Sequence, residues 1–217
     1  MKNNLFIALE GIDGSGKSTQ VKLLAEKLMA SGHKVYTTFE PTDSTIGSFI
    51  RTILRGNNKA DHRTIAALFA ADRLDHVLNE ENGILKKLKE GYTVVTDRYY
   101  FSSYAYHGTH ADMDWVISIN AMAAEALRPD INIFIDVPPE TAMQRINNNR
   151  NKTELFETTE NLHNTRSKYL EAFEKLKHEE NIAIINGNRS EESIAKDIWQ
   201  EVEKLTALYS AGASKQI

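Results

Sequence analysis

The sequence predicts a three-layer α/β fold, in which a five-stranded parallel sheet is flanked by helices. Five short apolar runs alternate along the chain with longer segments in which apolar residues recur every three or four positions. This alternation is typical of β-α-β units, whose strands run parallel. The chain has 217 residues and contains neither an internal repeat nor a linker, so we expect a single domain over residues 1–217.

The five apolar runs are the predicted strands. The first, at residues 5–9, is apolar throughout, as in a strand that is buried on both faces of a sheet. The other four runs are residues 35–39, 92–96, 131–135 and 182–185.

The segments between these runs predict helices. One helix follows the first strand and is expected to end at Gly32. Residues 61–89 are predicted to be mostly helical with a break at Gly83, a further helix is predicted at 112–127, and the last begins after Ser190 as its N-cap. The side chains expected to face inward are Val21, Leu24 and Leu28 in the first helix, Ile65, Leu68, Phe69, Val77 and Leu78 in residues 61–89, and Ile194, Ile198, Val202 and Leu205 in the last.

Composition excludes several classes of protein. There is no cysteine, which excludes a disulfide scaffold, a thiolate zinc site and a cysteine nucleophile. The net charge is -4, so the chain lacks the basic footprint of a protein that coats nucleic acid. No apolar run approaches the ~20 residues of a membrane span, and residues 5–9 are fewer than the ~7–15 of a signal-peptide core. We therefore expect a cytoplasmic protein without a nucleic-acid or membrane partner.

A phosphate-binding loop is predicted between the first strand and the first helix. Gly11-Ile12-Asp13-Gly14-Ser15-Gly16-Lys17-Ser18 matches G-x-x-x-x-G-K-[ST]. Its glycines let backbone N–H groups curl around an anion, and the following helix adds partial positive charge at its N-terminus. Lys17 is expected to reach the β- and γ-phosphates of a nucleoside triphosphate, and the Ser18 hydroxyl is expected to bind Mg²⁺.

The loop alone leaves three classes of protein open: a GTPase switch, a mechanical or DNA-handling ATPase, and a small-molecule kinase. Residues 58–61 match the guanine-reading N-K-x-D motif, but the preceding residues are typical of a turn rather than of a buried strand. The only D-x-x-G match, from Asp13 to Gly16, lies inside the phosphate loop itself. The small size and the acidic charge of the chain favour the kinase.

The acceptor side of such a kinase is predicted after the third strand, at Asp97, Arg98 and Tyr99. Ligands of open parallel sheets bind beyond the carboxyl ends of the strands. An arginine there can bind a phosphate bidentately, and Asp97 can orient the water shell of the metal. Among the aromatic residues that follow, Tyr100, Phe101 and Tyr104 are expected in the core, whereas Tyr99 and Tyr106 are expected to line a pocket.

With these motifs in place, the chain resembles the thymidylate kinases, P-loop enzymes that transfer the γ-phosphoryl group of ATP to dTMP. The resemblance rests on residues 11–19, 40–51, 68–73, 97–108, 128–136 and 145–157, which follow one another in the family's order. It implies a P-loop NTPase fold with a short lid at about 145–160, ATP as the phosphoryl donor, Mg²⁺ as the cofactor and a role in dTTP synthesis. It also implies a homodimer that pairs through helices, for which the predicted helices at residues 61–89 and 99–127 are the candidates.

The resemblance also implies a dTMP site. Phe69 resembles the ring that stacks on thymine, and Arg73, one helical turn later, resembles the residue that binds the carbonyl edge of the base. Arg51 and Arg98 resemble clamps on the dTMP phosphate, and Tyr99 resembles the ring that crowds the sugar C2′. Asp13 is expected at the 3′-hydroxyl. The other residues expected in this site are Glu40, Pro41, Ser102, Tyr106 and His107.

On the donor side, the resemblance places Arg145 on one face of the adenine and Asn188 with Arg189 on the other. The whole loop through Thr19 is expected to bind ATP. Some members of the family carry an arginine where this chain has Gly14, so the catalytic charge is expected to come from Arg150 in the lid. The catalytic residues predicted are Lys17, Asp97, Arg98 and Arg150.

Several alternatives remain open at this point. A nucleotide-binding regulator, an inactive relative, and a kinase of another monophosphate are each compatible with parts of the pattern. Position 107 is histidine where the family often has glutamine, threonine or serine, which leaves base and sugar tolerance open. His107, His110, Asp112 and Asp114 are compatible with a metal site, although loop residues that cap the next helix are the simpler interpretation.

Overall fold

The computed structural model describes residues 4–149 and 158–213. Its five strands form one sheet in the order β2-β3-β1-β4-β5, and every pairing is parallel. This confirms the predicted fold class. The strands are β1 (Phe6–Glu10), β2 (Val35–Phe39), β3 (Thr93–Asp97), β4 (Ile131–Asp136) and β5 (Ile182–Asn186).

The position of β1 at the centre of the sheet determines where a ligand can bind. β1 pairs with β3 so that Leu9 lies opposite Asp97, and with β4 so that Glu10 lies opposite Phe134. The residues after β1 and the residues after β3 therefore leave the sheet side by side. The backbone N–H of Glu40, after β2, donates to the carbonyl of Asp97, which brings a third segment to the same edge.

The predicted helices are found close to their expected bounds, and residues 61–89 are indeed interrupted at Gly83. Three helices were not predicted: α2, α7 and α8. In α7, Ala142 and Ile146 are the buried apolar side chains, too few for a clear helical period. The helices are α1 (Lys17–Ala30), α2 (Thr45–Leu54), α3 (His62–Leu78), α4 (Ile84–Lys89), α5 (Tyr100–His107), α6 (Met113–Ala126), α7 (Pro139–Asn149), α8 (Thr159–Leu176) and α9 (Glu191–Ala213).

The core surrounds the three central strands and a cluster of aromatic rings between α5 and α8. Tyr100, Phe101 and Tyr104 are buried there as predicted, and Phe101 contacts Phe173 at 4.9 Å between ring centroids. The inward side chains predicted for α9 are all buried. The prediction for Leu78 is wrong, because it is the last residue of α3 and is 48% exposed. No helix in the described part of the chain is long and apolar enough to cross a membrane.

Candidate active site

The loop between β1 and α1 has the backbone conformation that its glycines allow. Gly14 and Gly16 have φ angles of 77° and 93°, in the left-handed region where glycine has no steric penalty. A Cβ atom on Gly14 would lie 2.3 Å from the carbonyl oxygen of Ala142 in α7. The close approach of α7 therefore favours glycine at this position.

Lys17 lies beneath this loop at the start of α1. Its buried ammonium group donates hydrogen bonds to the carbonyl oxygens of Gly11 and Ile12, each at 3.0 Å. Burial, and then the nearby Arg98 charge, lowers its pKa to about 8. The ammonium group is thus held against the loop, and Lys17 also lines the cleft described below.

The residues expected to hold Mg²⁺ lie together. The Ser18 hydroxyl donates to Asp97 Oδ2 at 2.6 Å, while Asp97 Oδ1 is buried and has no hydrogen-bond partner among the described residues. A carboxylate oxygen without a donor and an adjacent hydroxyl are oxygen ligands of the kind that Mg²⁺ prefers. No group of three or more acidic or histidine side chains suited to a metal occurs among residues 4–149 and 158–213. Mg²⁺ commonly binds through one or two protein oxygens together with substrate phosphates and water.

A cleft leads from the phosphate loop along the carboxyl edge of the sheet. At its far end lie Arg145 in α7, which donates to the Gly187 carbonyl at 3.1 Å, and Arg189, which pairs with Asp197. Asn188 is not among the lining residues, and Arg150 lies outside the described part of the chain. The residues that line this donor cleft include 13–21, Thr37, Thr38, Phe39, Glu40, Asp97, Arg98, Arg145, Ile146, Arg189, Glu191 and Ile194.

A second, narrower pocket adjoins the first. Asp13, Glu40 and Arg98 line both, so the two spaces meet at these side chains. Phe69 from α3 and His107 from α5 form the far wall, with 5.0 Å between their ring centroids. The residues that line this acceptor pocket are Asp13, Glu40, Pro41, Leu54, Phe69, Arg73, Arg98, Ser102, Ser103, Tyr106 and His107.

Arg98 lies where the two pockets meet, and its backbone conformation is strained. Its φ of 74° is unusual for a residue with a Cβ. The guanidinium pairs with Asp13 and donates to the Ser102 hydroxyl at 3.1 Å. Asp13 in turn accepts from the Tyr106 hydroxyl at 2.9 Å. The arginine is therefore held between the two pockets by contacts on both sides.

Glu10, which was not predicted as a site residue, stabilises the segment that follows Arg98. Its buried carboxylate accepts hydrogen bonds from the backbone N–H of Tyr99 at 2.9 Å, the Ser102 hydroxyl at 2.6 Å and the Tyr169 hydroxyl at 3.0 Å. Burial raises its pKa above the ordinary value. A charged residue directly after a run of five apolar residues was the available signal, since a buried carboxylate needs hydrogen-bond donors.

The expectation that Tyr99 lines the acceptor pocket is wrong. The Tyr99 side chain is fully buried, and its hydroxyl donates to the Leu127 carbonyl at 2.9 Å. Its ring packs edge-on against Phe6 in β1. The tyrosine beside Asp13 is Tyr106, which shares one face of α5 with Ser102 because the two are four residues apart.

Two arginines expected to bind dTMP, Arg73 and Arg51, make most of their hydrogen bonds to other groups of the protein. Arg73 is buried and donates to the Ser103 hydroxyl, the Asn120 side chain, Glu40 and the Tyr99 carbonyl, so only its Nε–H lacks a partner among the described residues. Arg51 donates to the carbonyls of Pro41 and Thr42 at 2.8 and 2.6 Å and does not line the pocket. The structure thus brings Arg98, but not Arg51, to the junction.

The two remaining motifs have structural explanations. Asp61, the last residue of the guanine-type match, caps α3 by accepting from the Arg63 N–H. Asp112 caps α6 by accepting from the Trp115 N–H at 3.1 Å. The simpler interpretation of each motif is therefore the better one.

A glycine-rich loop at the centre of a parallel sheet, with two adjoining pockets that meet at an arginine, is the architecture expected of a phosphotransferase that acts on a small acceptor. The comparisons with known proteins agree. The thymidylate kinase family model matches residues 9–198, and this chain belongs to the thymidylate kinase family. It is accordingly a phosphotransferase.

The relatives cover nearly the whole chain. A probable thymidylate kinase of Caldivirga maquilingensis is 40% identical over 203 residues, 92% of this chain and 93% of the relative. One of Thermococcus onnurineus is 39% identical over 92% of this chain and 97% of the relative. One of Pyrococcus horikoshii is 40% identical over 89% of this chain and 93% of the relative.

Proposed function

We propose that this chain phosphorylates dTMP to dTDP for dTTP synthesis, by direct in-line transfer of the γ-phosphoryl group of ATP. The observation that carries the proposal is the junction of the two pockets. Asp13, Glu40 and Arg98 line both spaces, and Lys17 lines the donor cleft. A donor and an acceptor bound there would have their phosphates in contact, and phosphoryl transfer requires mainly positioning and charge neutralisation.

In the donor cleft, residues 11–19 would bind the phosphates of ATP, and Arg145 and Arg189 would flank the adenine. Ser18 and Asp97 would hold Mg²⁺, with Asp97 acting through water. The metal would neutralise charge on the β- and γ-phosphates. Arg150 is proposed to supply a further positive charge from the lid, on the basis of its place in the sequence alone.

In the acceptor pocket, Phe69 would stack on thymine and Arg98 would bind the dTMP phosphate. Asp13 would accept a hydrogen bond from the 3′-hydroxyl. Tyr106 borders the same space, so the steric role against ribose that was expected of Tyr99 falls to Tyr106. For Arg51 to reach the phosphate, its side chain would first have to leave the carbonyls of Pro41 and Thr42.

A coupled assay of ADP release tests this proposal. With ATP and Mg²⁺, dTMP is expected to give the highest kcat/KM in a panel that also contains dUMP, dCMP, UMP, dGMP and AMP. A preference for another monophosphate would retain the kinase and reject the assignment of the base. Absence of acceptor-dependent ADP, with ATP still bound, would instead indicate a nucleotide-binding regulator.

We also propose a cytoplasmic homodimer that pairs through α2, α3 and α6. Phe49, Leu78 and Met122, one on each of these helices, are 48%, 48% and 67% exposed. Sedimentation velocity is expected to show twice the 24.5 kDa mass of the chain, and Met122→Lys should weaken the dimer. Met29→Lys, at a similarly exposed methionine on α1, is the control. A wild-type protein that sediments as a monomer would contradict the proposal.

A further inference from the structure

A tyrosine of α8 carries a buried hydroxyl group that its packing does not require. Tyr169 is fully buried, and its ring packs against Phe134 in β4 and Phe173 one helical turn later, with centroid distances of 4.8 and 5.8 Å. A phenylalanine at this position would make the same ring contacts. The hydroxyl group therefore needs a separate explanation, because burying a hydroxyl is costly unless it is hydrogen-bonded.

The Tyr169 hydroxyl lies among three polar groups at the base of the site. It lies 2.8 Å from the Ser102 hydroxyl, donates to the Glu10 carboxylate at 3.0 Å and lies 3.4 Å from the Gly11 carbonyl oxygen. Burial raises the pKa of the tyrosine hydroxyl well above its ordinary value, so the group stays protonated and able to donate. One side chain of α8 thus joins the end of β1, the phosphate loop and α5.

Two of these three groups also hold one end of the Arg98 guanidinium. Its Nη1 donates to the Ser102 hydroxyl at 3.1 Å and to the Gly11 carbonyl oxygen at 3.4 Å. Its Nη2 pairs with Asp13, which lines both pockets. The two ends of the guanidinium therefore have different surroundings, and Nη1 is held by the groups that Tyr169 contacts.

We infer that Tyr169 is a positioning residue for the acceptor phosphate, whose hydroxyl fixes the two groups that hold Nη1 of Arg98. The inference rests on the proposed function, in which Arg98 binds the phosphate of dTMP. A guanidinium anchored at Nη1 keeps its orientation while Nη2 exchanges Asp13 for a phosphate oxygen. Such an anchor matters because a displacement of about 1 Å in a group that positions the substrate can cost ~10²-fold in rate.

Tyr169→Phe tests this role, since it removes the hydroxyl and keeps the ring. We expect kcat/KM for dTMP to fall by ~10-fold or more, because the guanidinium loses part of its anchor. KM for ATP should change little, since Lys17 keeps its hydrogen bonds to the loop carbonyls. Steady-state kinetics with each substrate varied in turn separate the two effects.

Tyr100→Phe is the matched control. Tyr100 is equally buried, and its hydroxyl donates at 2.7 Å to the buried carboxylate of Glu180, which is not among the residues that line either pocket. Each variant takes a buried hydroxyl from a buried carboxylate, so both are expected to lower the melting temperature. Only Tyr169→Phe should lower kcat/KM for dTMP. An equal loss of activity in both variants would mean that the hydroxyl serves stability alone.

The effect of Tyr169→Phe should also depend on Arg98. In an Arg98→Ala background there is no guanidinium to position, so adding Tyr169→Phe should cause almost no further loss of kcat/KM for dTMP. Calorimetric titration with dTMP repeats the comparison without turnover. The same fold-loss in both backgrounds, or wild-type kinetics in Tyr169→Phe, would overturn the inference. A wild-type enzyme that does not phosphorylate dTMP would instead mean that the proposed function has failed.

Discussion

Lys17→Ala is expected to lower kcat by ~10²–10³-fold, because it removes a preorganised donor from the charge that develops on the transferred phosphoryl group. In the structure this ammonium group is buried and makes two 3.0 Å hydrogen bonds to loop carbonyls. Steady-state kinetics with saturating ATP and dTMP measure the effect. Lys22→Ala, at an exposed position on the same helix, should leave kcat unchanged. A Lys17→Ala enzyme with near-normal turnover would contradict the role.

The same lysine predicts a pH dependence. Its pKa is lowered to about 8, so the ammonium is charged below that pH and loses its charge as the pH rises through it. The dependence of kcat/KM on pH reports groups of the free enzyme. We therefore expect kcat/KM for ATP to fall above pH 8, and a profile that stays flat to pH 9.5 would show that Lys17 does not limit ATP capture.

Arg98→Ala is expected to have the second large effect, a loss of ~10³-fold or more in kcat/KM for dTMP. The guanidinium lies where the two pockets meet, and the substitution also removes the ion pair between Arg98 and Asp13. KM for ATP should change little, because the loop backbone and Lys17 remain. Measuring both Michaelis constants separates the two sites, and Arg55→Ala, at an exposed arginine after α2, provides the control.

Arg98→Lys sharpens the same prediction. A lysine keeps the positive charge but cannot make the forked contacts that the guanidinium makes with Asp13 and Ser102. We expect it to recover only a small part of the activity lost in Arg98→Ala. Full recovery would mean that charge alone matters at this position. A rise in KM for ATP equal to that for dTMP would mean that Arg98 serves the donor instead.

Much of the fold was predictable because its signals are local. Residues 5–9, which include most of the central strand β1, are a continuous apolar run, and the phosphate loop is a contiguous motif whose glycines have a direct steric reason. The site could be predicted at the carboxyl edge of the sheet for the same reason, since Asp97 is the last residue of β3 and Arg98 follows it directly. The sequence does not predict how a side chain is oriented when its contacts come from distant segments of the chain.

Tyr99 and Tyr106 illustrate this limit. Both are aromatic residues of one block, and only the three-dimensional contacts show that Tyr99 packs against Phe6 whereas Tyr106 donates to Asp13. Arg73 illustrates it again, because its partners Glu40 and Asn120 come from distant segments of the chain. A residue can therefore be assigned to a site by its position while most of its hydrogen bonds serve the structure around that site.

The central claim is direct phosphoryl transfer from ATP to dTMP, and the most direct measurement follows the phosphorus itself. ATP labelled at the γ-phosphate is incubated with the enzyme, Mg²⁺ and dTMP, and the products are separated. The account predicts label in dTDP, one equivalent for each ADP formed, and almost none with the Lys17→Ala enzyme. Label found only in inorganic phosphate, with no dTDP formed, would contradict it.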